Sequence, residues 1–408
     1  SSAASDVYKR QVLFDAEQTF HFTIKELVKI IENQFDKLNK ELSVLENYKI
    51  HFAAKSLSNI SILKYIKKMG AGLDAVSIEE VMIGLKCGFN KDEILYTPNG
   101  VSFEEIKEVF KLGVKINLDS IESIKDFVNE FGNQPITVRI NPGIYAGGND
   151  NVSVGHSESK FGIPEERIDE LLDMENKGKI KITGLHIHTG SDITKNNQFK
   201  EGIKKIFSIA RDFKNIQSID LGGGIKIPYY KDDTSTNLND YVKEVSKELK
   251  KFESEFNRKL KLIFEPGKFL VSDCGFFITR VNYIKSTKTK DFLQVDSGFN
   301  HLLRPTLYGS HHEIINLSNP AGRKKEYDVV GYICEKDTFA EKRKISDTSK
   351  GDLICFKNAG AYGFNMSSNY NSRSRPAEIC ILDDKLFKIR EPETINDLLS
   401  GQIDIFNK

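Results

Sequence analysis

Between residues 48 and 267 the chain repeats one unit eight times: a short apolar run, then a stretch whose apolar residues recur every three to four positions. The runs are YKIHFAAK (48–55), GLDAVS (72–77), ILYTPN (94–99), KINLDS (115–120), ITVRINP (136–142), KITGLHIHTG (181–190), SIDLGGG (218–224) and LKLIFEPG (260–267). SIEEVMIGLKCGF, SFEEIKEVFKLG, SIESIKDFVNEFG and QFKEGIKKIFSIARDF are among the amphipathic segments between them. Apolar strands alternating with amphipathic helices predict a parallel sheet covered by helices. Eight such units predict a (β/α)8 barrel of the TIM type over residues 30–275, with a doubly wound open sheet as the competing arrangement.

After Gly275 the period changes to two. FFITRVNYIKS, DFLQVDSGF, KEYDVVGYIC, GDLICFKNAG and AEICILDDKLFKI alternate apolar and polar residues, which predicts a C-terminal all-β domain over residues 276–408. Residues 1–29 form an N-terminal segment. Its opening, SSAASDVYKRQ, has neither an initiator Met nor an apolar stretch and reads as a cloning or assembly remnant, not a secretory signal.

Charge and cysteine usage narrow the class of partner. Lys plus Arg total 59 against 58 Asp plus Glu, a net charge of +1, so nothing electrostatic recommends nucleic acid or an anionic membrane. No apolar run is long enough to cross a bilayer. Cys87, Cys274, Cys334, Cys355 and Cys380 are scattered, odd in number and without CxxC spacing. Reduced thiols in a cytoplasmic enzyme fit that pattern better than a disulfide framework or a zinc site.

A barrel of this kind carries its chemistry at the C-terminal ends of the strands, and often holds a phosphate in the loops after strands seven and eight. Gly222, Gly223 and Gly224 follow strand seven; such a run can cradle a phosphate or be a plain loop. Lys55 ends strand one, on the same strand parity as His51 and Ala53. His186 and His188 lie two apart on strand six and so face one side, and Glu265 ends strand eight. Singly, the lysine could be a solvated charge, the histidines core residues or metal ligands, and the glutamate a turn cap before Pro266-Gly267. Together they make an amine, a flat ring, a carboxylate and an anion cradle at one mouth, the set that pyridoxal 5'-phosphate requires.

HFAAKSLSN, GLDAVSIEE, RINPG, SESKFGI, GLHIHTGSD, DLGGGI, EPGKFLVSDCG, DSGFNHLLRPTLYGSHH, VVGYICEKDTFA and NAGAYGFNMSSNYNSRSRPAE resemble the diaminopimelate decarboxylase family, motif by motif and in order, over residues 48–385. The resemblance implies an alanine racemase-like barrel of the fold-type III pyridoxal-phosphate enzymes, a C-terminal β domain and a homodimer with active sites shared between subunits. It also implies roles. Lys55 is the amine that binds the cofactor, His188 stacks on its ring, Ser191 and Gly222 to Gly224 hold its phosphate with Tyr362 nearby, and Glu265 meets the pyridine nitrogen. Gly267 is a further cofactor-binding position, and Asp74 and Arg139 support the site. Arg304 and Tyr308 bind a substrate carboxylate with Lys268 and Tyr362, Glu335 reads the distal amino group, and Cys334 is an acid/base thiol supplied by the other subunit.

Three departures stand out. Lys268 takes the place of an arginine in the usual EPGR, a point charge for a bidentate fork. CEKDTF replaces the commoner CESGD, one residue shorter before the Asp. The opening strand of the family's β domain is not recognisable in VLFDAEQTFHF. The implied reaction is decarboxylation of meso-2,6-diaminopimelate to L-lysine and carbon dioxide, the last step of lysine biosynthesis, since Glu265 stands where a racemase of this fold places an arginine. The alternatives are a related ornithine, arginine or carboxynorspermidine decarboxylase, a metal-dependent barrel hydrolase using His186 and His188, or a non-catalytic cofactor-binding regulator.

Overall fold

The computed structural model describes residues 21–24, 27–145, 155, 156, 158–193, 196–383 and 385–406; the reading of residues 1–11 as a remnant lies outside them. The chain forms two compact units. One comprises Glu32–Pro228 and Asp232–Leu270, the other Val271–Lys408 with Tyr229–Lys231 and the N-terminal residues up to Ile31.

The first unit is the expected barrel. Its strands are β1 (Tyr48–Ala53), β2 (Gly72–Ala75), β3 (Ile94–Tyr96), β4 (Lys115–Leu118), β5 (Pro135–Asn141), β6 (Lys181–His186), β7 (Ser218–Asp220) and β8 (Lys261–Phe264). They pair in parallel in the order β4-β3-β2-β1-β8-β7-β6-β5, and a further β4–β5 pairing closes the ring. Between them the helices start where the sequence supplies caps. The Ser77, Ser102 and Ser120 hydroxyls accept the backbone N–H of Glu80, Glu105 and Ser123 at the heads of Ile78–Lys86, Phe103–Lys111 and Ile121–Phe131. Acidic residues in the first turns of the first two, Glu79, Glu80, Glu104 and Glu105, suit the positive end of the helix dipole. Each strand ends before its apolar run does, so the last residues of the runs fall in the loops at the barrel mouth. Lys55 therefore sits in a single turn of 3-10 helix, Ala54–Ser56, and His188 lies two residues beyond β6; neither is on strand parity.

The second unit is an antiparallel-rich sheet built from β9 (Gly275–Ser286), β10 (Asp291–Val295), β11 (Ile314–Asn316), β12 (Lys324–Val330), β13 (Thr338–Ser346), β14 (Leu353–Phe356), β15 (Ala377–Leu382) and β16 (Lys385–Arg390). Phe277, Val281, Leu293, Val295, Tyr327, Val329 and Phe356 point alternate side chains into one buried cluster, the packing that a period of two requires. A ninth strand, His21–Ile24, runs antiparallel to β9 with His21 opposite Ile278 and parallel to β15 with His21 opposite Ala377. The N-terminal segment thus supplies a central strand of this sheet, which the sequence of residues 12–22 does not announce. Its pairing partners lie more than 250 residues away, and a four-residue strand leaves little local alternation to detect.

Candidate active site

The loops after β1, β6, β7 and β8 meet at the barrel mouth, where the parallel strands end. Lys55 Nζ, after β1, donates to Asp74 Oδ2 on β2 at 2.9 Å. Asp74 is 1% exposed, while the lysine side chain is 41% exposed, so the amine faces the mouth and the carboxylate lies beneath it. Burial and the nearby Glu265 push the Asp74 carboxyl above the usual carboxylate range, against the opposing pull of Lys55.

Glu265, after β8, is buried, and its Oε2 lies 3.4 Å from His186 Nε2. Burial alone would raise its pKa, yet the His186 imidazole beside it, with Lys55, holds it below the usual range and ionised. Its Oε1 is buried without a hydrogen-bond partner. His186 is itself anchored from β4, where Asn117 Nδ2 lies 2.6 Å from His186 Nδ1. With the amide donating, Nδ1 accepts, and the ring turns the N–H of Nε2 toward Glu265. His188 follows a different course: Gly223 donates its N–H to His188 Nδ1 at 3.2 Å. Burial, then the positive charges of Arg139 and Lys55, hold its pKa well below the ordinary histidine value, so it presents a neutral ring. Arg139, on β5, is buried with its guanidinium 4.7 Å from the Phe161 ring centre.

The glycine triplet is a constrained loop. Gly222 and Gly224 have φ of +65° and +95°, and a Cβ on Gly223 or Gly224 would come within 2.5 Å of the carbonyl oxygen of Glu265 or of Gly190. Gly224 also accepts the Ile193 N–H at 3.1 Å, which zips the loop holding Ser191 to the glycine loop. Lys268 is held in an ion pair. Its ammonium lies 2.5 Å from Asp192 Oδ2, where it is 7% exposed, and Asp192 comes from the HTGSD segment 76 residues away.

The sheet unit gathers the other expected residues into two groups. Arg304 is buried, its guanidinium 5.5 Å from the Tyr308 ring centre and 5.6 Å from that of Tyr362, and it donates to Ser310 Oγ at 3.2 Å. Its Nε is buried without a partner, and among the described residues no carboxylate pairs with it. The second group is Cys334 and Glu335. Cys334 is the exposed one of the five free cysteines. Asn371 donates its amide N–H to Cys334 Sγ at 3.0 Å, and the Tyr370 hydroxyl donates to Glu335. Tyr370 and Asn371 were quoted above only as part of a motif; their contacts join loops 35 and 37 residues apart, which local pattern does not reveal.

The shortened CEKD loop keeps its shape through Asp337. That carboxylate accepts the backbone N–H of Phe299 at 2.8 Å and of Ile333 at 2.9 Å, in a buried position. Asp337→Ala strands both donors, so it is expected to lower stability by about 2 kcal/mol or more, read as a fall in the urea midpoint with an unchanged slope.

These residues fit pyridoxal phosphate on their own chemistry. A mouth-facing amine lies beside a close-approach glycine loop, a neutral imidazole and a buried carboxylate whose free oxygen lacks a donor. Comparison with known proteins decides the family. The profile of the pyridoxal-dependent decarboxylase pyridoxal binding domain matches residues 28–272, and that of the C-terminal sheet domain matches residues 268–360. The diaminopimelate decarboxylase of Methanothermobacter thermautotrophicus is 35% identical over 365 residues, covering 87% of this chain and 85% of its own. The chain belongs to the diaminopimelate decarboxylase family.

Within that family, the enzyme of Archaeoglobus fulgidus is 34% identical over 91% of this chain and 90% of its own. The crystal structure of the Helicobacter pylori diaminopimelate decarboxylase complexed with L-lysine superposes with a TM-score of 0.86 at 30% identity, covering 96% of this chain and 98% of that one. A lysine/ornithine decarboxylase from Vibrio vulnificus, with a TM-score of 0.79 at 18% identity, shares the fold. The protein is thus a pyridoxal-phosphate-dependent decarboxylase with a TIM-type barrel and a sheet domain. His186 and His188 do not converge as a metal pair. Among the described residues His186 clusters with Asp220 and Glu265, and His188 is not part of the group.

Proposed function

We infer that the protein removes one carboxylate of meso-2,6-diaminopimelate as carbon dioxide and leaves L-lysine, with residues 30–275 as the cofactor-binding domain and 276–408 as the sheet domain, in the cytoplasm. The observation that carries this reading is the ionised, buried Glu265 among Lys55, Asp74 and the glycine cradle, in a chain whose relatives are diaminopimelate decarboxylases.

Pyridoxal phosphate, when bound, supplies the sink for the electron pair that carbon dioxide leaves behind. Lys55 Nζ would bind it covalently, and Asp74, 2.9 Å away, would take the proton that the ammonium must first lose. Ser191 and the backbone N–H groups of Gly222 to Gly224 would hold its phosphate, with Gly267 and Tyr362 close by. His188 would face the cofactor ring, and Arg139 would support the site. Glu265 would keep a proton on the pyridine nitrogen, because a carboxylate stabilises the charged form. Arg304, a buried cation with no carboxylate partner among the described residues, suits a substrate carboxylate, with Tyr308 and Tyr362 flanking it. Lys268 would act on the substrate only through its pairing with Asp192. Glu335 would receive the distal ammonium, and Cys334 Sγ would return a proton to the carbon that has lost its carboxylate.

Lys55 belongs to the barrel, and Cys334 and Glu335 to the sheet domain. We assign the latter pair to the partner's site in a homodimer, on the strength of the family resemblance. Carbon dioxide release should then be fast from meso-diaminopimelate and at least about 100-fold slower from ornithine, arginine or lysine, since an unpaired buried charge discriminates strongly; a preference for ornithine would overturn the substrate. Mixing Lys55→Ala with Cys334→Ala protein tests the sharing. Once subunits exchange, about half the dimers are mixed and each has one intact site, restoring about a quarter of full activity. Exchange without recovery would place Cys334 in its own chain's site.

A further inference from the structure

The site description leaves one buried acid without a task. Asp220 ends β7, immediately before the glycine loop, and is 1% exposed. Its Oδ1 accepts the Gly222 N–H at 2.8 Å. Gly222 in turn accepts the Glu265 N–H on its carbonyl oxygen at 2.8 Å. A carboxyl oxygen of Asp220 lies within 4.8 Å of one of Glu265, and His186 completes the cluster. Both Asp220 Oδ2 and Glu265 Oε1 are buried and receive no N–H or hydroxyl from among the described residues.

Two carboxyls in such a place cannot both be ionised cheaply, and a single proton between the two groups would relieve that cost. The surroundings decide which one carries it. Glu265 has the His186 imidazole at 3.4 Å and the charge of Lys55, whereas the nearest contact of Asp220 is one backbone N–H. Burial and the Glu265 charge push Asp220 well above the usual carboxylate range, while Glu265 is held below it.

We propose that Asp220 is a positioning residue that shares one proton with Glu265. Its neutral carboxyl donates from Oδ2 to the Glu265 carboxylate and accepts the Gly222 N–H on Oδ1. That closes a ring between the phosphate cradle and the acid meant for the pyridine nitrogen, and leaves the negative charge on Glu265. The glycine loop and the carboxylate are thereby set in one position relative to each other by a side chain that touches neither cofactor nor substrate. The part concerning the pyridine nitrogen rests on the role given above to Glu265; the shared proton does not.

An amide can reproduce both hydrogen bonds of a neutral carboxyl, its oxygen accepting and its N–H₂ donating. Asp220→Asn holoenzyme should therefore keep kcat/KM and cofactor affinity within about threefold, whereas Asp220→Ala, losing both bonds, should weaken each by about 10- to 100-fold. An Asn variant as impaired as the Ala variant would mean that the aspartate charge is needed, and would overturn the proposal. The infrared difference spectrum of wild-type minus Asp220→Asn holoenzyme at neutral pH gives the second measurement, and does not depend on the Ala variant folding. It should show the carbonyl stretch of a protonated carboxylic acid; a carboxylate band in its place would refute the shared proton. The spectrum is independent of turnover, so it separates this inference from the role of Glu265, which is tested by substitution of Glu265 itself.

Discussion

Lys55→Ala is expected to abolish decarboxylation, lowering kcat by about 10⁴ or more, while leaving a folded protein. The argument starts from exposure. Lys55 sits in a one-turn helix after β1 with 41% of its side chain accessible, so removing it opens no cavity in the barrel. What it removes is the amine at the mouth and the cation beside Asp74. Asp74 is 1% exposed and already pushed upward by burial and by Glu265; without the opposing charge its carboxyl should move further up and take a proton, which spares the fold an unpaired buried charge. Steady-state carbon dioxide release and a thermal melt, run on the same preparation, check both halves. A variant within about tenfold of wild-type kcat would show that another group performs the task.

Glu265→Gln should separate charge from shape in the same way. The amide matches the carboxylate in size, and His186 Nε2 can still face its oxygen at the position it now occupies, 3.4 Å from Oε2. A neutral amide cannot hold a pyridine nitrogen protonated, so kcat should fall by about 10³ with KM nearly unchanged. Stability should hold or rise slightly. One of two adjoining buried carboxyls has been made neutral, and Asp220 no longer faces a charge. Normal turnover in this variant would remove Glu265 from the mechanism, whatever becomes of Asp220.

How much of this was legible in the sequence depends on how far each feature reaches along the chain. The eight barrel strands and the serine-capped helices are local patterns, and they appear where periodicity puts them, trimmed by one to four residues at the mouth. Lys55, the glycine triplet and Glu265 could be placed together because barrel topology converts position after a strand into position at the mouth. Contacts that depend on folding were invisible. His21–Ile24 is a strand only because Gly275–Ser286 and Ala377–Leu382 flank it. Lys268 reads as a free cation until the fold brings Asp192 to it. Asp337, Tyr370 and Asn371 act on loops that are distant in sequence or on backbone groups, and Asp220 owes its proton to an acid on the next strand. Strand parity misplaced His188 for a related reason: the strand ends at His186, and the residues after it follow the glycine loop instead of the pleat.

The account stands on Lys55 as the residue that binds the cofactor at the mouth of the barrel, and borohydride reduction of the holoenzyme followed by peptide mapping measures that directly. The expected result is loss of the yellow colour and one reduced cofactor per chain on the peptide that contains Lys55, with no adduct in Lys55→Ala protein. A reduced cofactor on any other lysine, or an adduct that persists in the alanine variant, would contradict it.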